Sequence, residues 1–172
     1  MADCSDTGRV EGFAVRRGLA EGRYALSDVA VGLENSPALR FLFGGLDESR
    51  RVVEETQVKL RKGSRYMHIN DDDGSIVAGL DYVNRGDERD LYLDFVHELT
   101  HIKQLRGGRE LFEPGFSYMD RPTELEAYSA AVNEGRRLGM TWREIRDYLD
   151  IEWMNREEFA RLLRNLGVPS SD

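Results

Sequence analysis

His97-Glu98-Leu99-Thr100-His101 reads H-E-x-x-H. On a helix of 3.6 residues per turn, positions four apart lie one above the other on the same face. Both imidazoles can therefore aim at one point, where a divalent cation can sit. Glu98 lies one residue further round the helix, so its carboxylate is poorly placed as a ligand but can reach a water beside the cation. Zinc lowers the pKa of such a water to about 7, and a carboxylate then takes its proton as the water attacks a carbonyl. The chain has three histidines and two of them fall in this pattern. The competing reading is a helix that carries two solvated histidines and no chemistry.

A catalytic zinc takes three protein ligands and keeps one position open. Cys4 is remote, and no local framework positions it. His68 falls in a strand-like run upstream, where a lone histidine is more often structural than a ligand. Downstream, Glu124 and Glu126 open a second helical segment that a connecting loop can fold back against the first. The two are about 200° apart around a helix, so only one can face the cation. Thr123 and Glu126 have capping-box spacing, which gives Glu126 a structural task. Ala127 and Ala131 extend the Glu124 side at i+3 and i+7 and let two helices pack closely. Glu124 is the preferred third ligand and Glu126 the alternative.

The elements that must carry these residues follow from periodicity and punctuation. Asp87, or a neighbour, caps a helix that runs to about Arg106 and stops at Gly107-Gly108. Leu91, Phe95, Leu99 and Ile102 form its buried stripe, with His97 and His101 roughly opposite. The second helix runs from Pro122-Thr123 to about Leu138-Gly139. Upstream, Ser75 to Val83 reads as the best strand, preceded by a short strand over Arg65 to Asn70. Asp71-Asp72-Asp73-Gly74 between them reads as a hairpin turn. It lacks the ligand spacing and the final Glu of a calcium loop. Ser36-Pro37 opens a helix that ends at Gly44-Gly45. Thr141 with Glu144, and Asn155 with Glu158, have capping-box spacing and start two C-terminal helices.

The expected fold class is α+β: a short antiparallel or mixed sheet packed on the histidine-bearing helix, with further C-terminal helices. Residues 1–12 read as a flexible tail and 13–172 as a single domain. Its catalytic core spans about 75–138 and its C-terminal helices 141–166. At 172 residues the chain can bury a proper core, and 40% apolar with 33% charged residues is ordinary for a globular protein. The net charge of −8 and the lack of a basic cluster argue against nucleic-acid binding. A single cysteine rules out an internal disulfide framework. The acidic start does not read as a signal peptide, and no apolar run approaches a membrane span, so a cytoplasmic protein is expected.

His-Glu-Leu-Thr-His followed by Glu-Leu-Glu-Ala-Tyr resembles the gluzincin branch of the zincin metallopeptidases. More closely, it resembles the minimal zincin domains of the phage-repressor and radiation-response regulatory metallopeptidases. Their Glu-x-x-Ala signature is matched here by Glu124 and Ala127, and the resemblance covers about Ser75 to Leu138. It implies Zn²⁺ held by His97, His101 and Glu124, with Glu98 as general base. It also implies an edge strand beside the site, assigned to Ser75–Val83, that takes a peptide or protein substrate by strand addition. Tyr128 departs from the larger gluzincins, many of which carry an acidic residue there to orient a zinc-bound histidine. Asp94 is a candidate substitute. No histidine follows His101 to stabilise an oxyanion; Tyr118 is an alternative donor, although a core or rim tyrosine is the preferred reading. A zinc peptidase of restricted specificity is therefore expected. The alternatives are a metal-stabilised regulatory or binding module and a non-peptidase zinc amidohydrolase. The deformylase version of the last needs a cysteine ligand, and only Cys4 is present.

Overall fold

A computed structural model describes residues 8–171. The architecture is α+β, as the periodicity predicts: eight α-helices among the described residues with two small sheets. Cys4 and most of the predicted tail lie outside the described residues. Of the remainder of that tail, Val10 is buried in the core, and the Gly8 carbonyl accepts from the Arg89 backbone N–H at 3.1 Å.

The N-terminal third is built from short pieces. Strand β1 (Ala14–Val15) pairs antiparallel with β3 (Ala30–Val31). Between them lie β2 (Gly22–Ala25) and α1 (Leu26–Val29). The Arg17 guanidinium donates to the Val83 and Gly86 carbonyls at 2.6 and 2.9 Å and straps this segment to the rest. Helix α2 (Pro37–Phe43) starts as predicted, with Ser36 accepting from the Leu39 N–H and Pro37 in the first turn. Helix α3 (Leu46–Glu55) follows after Gly44-Gly45.

The main sheet has four strands in the order β2, β4 (Gln57–Arg61), β6 (Ser75–Gly79), β5 (Met67–Asn70). β4 and β6 run parallel, and the other pairs are antiparallel. The Asp71–Gly74 stretch is the expected turn between β5 and β6. Its Asp73 carboxylate is held by Lys59 at 2.6 Å and by Arg23 at 3.3 Å.

The predicted strand Ser75–Val83 is corrected in two ways. It ends at Gly79, and Leu80–Arg85 forms helix α4. Tyr82 and Val83 are good strand residues, but Val83 is fully buried between an exposed Asp81 and a half-buried Asn84. Tertiary burial here overrides local preference. The strand is also central, with partners on both sides. The edge beside the histidine helix is β5.

Helix α5 (Glu88–Arg106) opens on Asp87, whose side chain accepts from the Arg89 and Asp90 N–H groups. The periodicity predicts one buried stripe with the histidines on the opposite face. Instead the helix is buried nearly all round from Leu91 to Ile102. The sheet covers one side, and α6 (Pro122–Arg137) packs along another. Helices α7 (Trp142–Leu149) and α8 (Arg156–Leu166) carry both predicted capping boxes and close the core. One contiguous hydrophobic core runs from Val10 to Val168. No helix of the described residues is long and apolar enough to cross a membrane.

Candidate metal centre

α5 presents His97 and His101 one turn apart, and α6 brings Glu124 opposite them. All three side chains are buried, at 7, 5 and 6% exposure. The two imidazole Nε2 atoms are 3.1 Å apart, and Glu124 Oε2 lies 3.4 Å from each. A tetrahedral ion with bonds near 2.05 Å holds its ligand atoms about 3.3 Å apart. The three donors therefore outline one face of such a tetrahedron. Glu124 Oε2, Glu98 Oε2 and His97 Nδ1 are buried without a hydrogen-bond partner. Unpaired polar atoms of this kind are costly, at about 1–3 kcal/mol each. A cation at the shared point would satisfy the Glu124 oxygen. Among the described residues this trio is the one group that could hold a metal ion.

The electrostatics of the two imidazoles differ in direction. Burial pushes the His97 pKa down and favours the neutral imidazole that metals bind. Burial also works against a proton on His101, but the Glu124 and Glu98 carboxylates and Gln104 outweigh it and raise its pKa. Glu124 is lowered: burial opposes the charge, and the two imidazoles overcome that. Glu98 is pushed up to about 8 by burial, with the Glu124 and Asp94 charges adding to it. A cation nearby would return Glu98 to the carboxylate form.

The supports of the trio differ from those expected. His101 Nδ1 meets Gln104 Oε1 at 2.8 Å. The same amide donates from Nε2 to the Thr123 carbonyl and to Glu126, each at 3.0 Å. This fixes the amide with its oxygen toward His101, so Nδ1 carries the proton and Nε2 is free to ligate. Glu126 is exposed and also paired with Arg109, so it stays out of the centre. The predicted capping box does not form, because Thr123 Oγ1 donates to the Leu111 carbonyl at 3.0 Å. Asp94 does not orient His97, since its oxygens accept from the Tyr82 and Tyr148 hydroxyls. The Tyr128 ring instead packs edge-on against His97, with centroids 4.4 Å apart. Arg121 stands 3.8 Å from Glu124 Oε1, the oxygen turned away from the histidines.

A cleft of about 530 Å³ opens beside the trio. His97 and Glu98 lie on its wall with Tyr118 and Tyr128, and Met67 and His68 of β5 form another side. Tyr118 and Tyr128 share a hydroxyl contact of 3.1 Å. Burial and the Tyr128 and Glu124 charges raise the Tyr118 pKa, so it stays a neutral donor. His68, set aside on sequence grounds, thus lines the cleft without joining the trio. Gln104 was open to detection, because it follows His101 at i+3. Comparisons with protein-family models, curated proteins and solved structures find no match.

Proposed function

We propose that this protein is a zinc-dependent peptidase, with His97, His101 and Glu124 as ligands and Glu98 as general base. The observation that supports it is the trio of buried donors at tetrahedral spacing, with the partnerless Glu98 carboxylate opening onto an adjoining cleft. Two imidazoles and a carboxylate suit zinc. When bound, zinc supplies the Lewis acidity that polarises a carbonyl and the charge that acidifies water at neutral pH. Glu98 takes a proton from the attacking water and delivers it to the leaving amine. Tyr118, neutral and hydrogen-bonded to Tyr128, is the donor available to the carbonyl oxygen. Edge strand β5 offers unpaired backbone groups to an extended peptide.

Elemental analysis tests the ligand set. Wild type is expected to carry about one zinc per chain, while His101→Ala and Glu124→Gln lose most of it and Glu126→Gln keeps it. A zinc-free wild type, after chelator stripping and reloading, would sink the reading. Glu98→Gln then separates an enzyme from a metal-stabilised binding module. It should retain zinc and lose peptide hydrolysis by about 10²–10⁴-fold. Equal function of wild type and variant would favour the module, a reading that the deep burial of the trio keeps open.

A further inference from the structure

The cleft beside Glu98 has a charge pattern that peptide hydrolysis alone does not require. Asp90, Asp94 and Glu98 recur every fourth residue along α5, so three carboxylates share one helix face, and all three line the cleft. Asp147, near the end of α7, and Asp150, just beyond it, line the same cleft. Asp94 is held by two tyrosine hydroxyls, but Asp90, Asp147 and Asp150 have no ion-pair partner among the described residues. The arginines of the neighbourhood are paired with other acids: Arg89 with Glu144 at 3.0 Å, and Arg65 of the cleft wall with Glu152 of the same wall at 2.7 Å. The remaining basic side chains on the wall are the imidazoles of His68 and His97. Glu98, 4% exposed, ends in this space with Oε2 unpartnered. Two aromatic side chains of the lining, Tyr66 and Trp153, are 38 and 48% exposed.

These acids are too dispersed for a second metal ion, since among the described residues only His97, His101 and Glu124 bring ligand atoms close enough. Carboxylates spread along a wall with open aromatic faces suit a large organic cation, by charge and by cation–π attraction. Burial, and then the Asp87 charge, push Asp90 up to about 6 against the opposing Arg89 charge, so a cation in the cleft would favour its ionised form. Resting on the peptidase reading, the geometry points to a specificity subsite: the cleft takes an arginine or lysine side chain of the substrate. Its charged head is met by Asp90, Asp147 and Asp150, and its stem lies against Tyr66 and Trp153. Asp90 is two helical turns from Glu98, roughly 12 Å of helix axis. A residue near the scissile bond covers part of that span by backbone, at about 3.3 Å per residue, and the rest by its own long side chain.

The test uses full-length Glu98→Gln protein, so that nothing is cut, with zinc content measured on the same samples. One arginine, or its neutral isostere citrulline, is walked through an otherwise alanine–serine hexapeptide. Binding is followed by calorimetry and by the Trp153 indole N–H resonance. In at least one position the arginine peptide is expected to bind about tenfold tighter and to shift Trp153. Asp90→Asn should cut that preference, and Asp90→Asn with Asp147→Asn should cut it to about threefold or less. Equal affinities, no binding of either peptide, or a preference untouched by both variants overturns the subsite. A zinc-free protein that still prefers arginine keeps the subsite and sinks the peptidase. A zinc-loaded protein with no preference keeps the peptidase and sinks the subsite.

Discussion

The Gln104 side chain, 2% exposed, holds the two elements that carry the His97–His101–Glu124 trio. Its oxygen fixes the His101 tautomer, and its nitrogen fixes the backbone one residue before Glu124. Gln104→Leu removes both contacts at similar volume. Zinc affinity, measured by competition with a chelator, is expected to fall about 10–100-fold without loss of the fold. A second residue-scale expectation concerns pH. Asp90 binds its proton more tightly when folded, up to about 6 against an ordinary 3.8, chiefly through burial. Between those values the folded chain holds more protons than the unfolded one, so stability falls as pH rises. Melting temperatures of metal-free protein from pH 4 to 7 should drop by a few degrees, and Asp90→Asn should flatten the slope. A slope unchanged in the variant would assign the effect to other groups. The grouping of His97, His101 and Glu124 was legible, because helical spacing places His97 and His101 together and separates Glu124 from Glu126. The capping box invoked for Glu126 does not form, although Glu126 does lie outside the trio. The Asp94–Tyr82–Tyr148 contacts could not be read, since they join side chains of three helices and Tyr148 is 54 residues from Asp94.

At the scale of elements, punctuation was the reliable guide. The caps at Ser36, Asp87, Thr141 and Asn155 and the Asp71–Gly74 turn each rest on a few adjacent residues, and each stands where expected. Strand rank in the sheet was not readable. Which strand lies at an edge depends on pairings between β2, β4 and β6, which no local pattern encodes. Gly79 marks the place where this matters. A Cβ there would stand 2.1 Å from the Ser64 carbonyl oxygen, in the loop that leads into β5. Gly79→Ala must therefore push that loop, and with it Arg65 and Tyr66 on the cleft wall. Denaturant melts should show a loss of about 1–3 kcal/mol. Peptide binding should suffer more than zinc binding, because the proposed ligands sit on other elements. Equal losses of both would mean that the sheet edge plays no part in the cleft.

For the whole molecule, the proposed ligand set joins α5 to α6 across the 107–121 connection. A bound ion favours the folded state by mass action, by about 2.7 kcal/mol at a free concentration one hundred times Kd. For a chain of this size that corresponds to a rise in Tm of roughly 5–10 °C on zinc addition. His101→Ala should show almost none of it by calorimetry. The strand order also bears on how the chain reaches this state. β5 and β6 are neighbours in sequence and meet across a short turn, a step of microseconds. β4 joins β6 in parallel, with β5 and two loops intervening, and must first meet a larger loop-closure entropy. The wall of the cleft thus forms before the sheet that backs it. During refolding, pulse-labelled amides of residues 67–70 and 75–79 should gain protection ahead of those of 57–61.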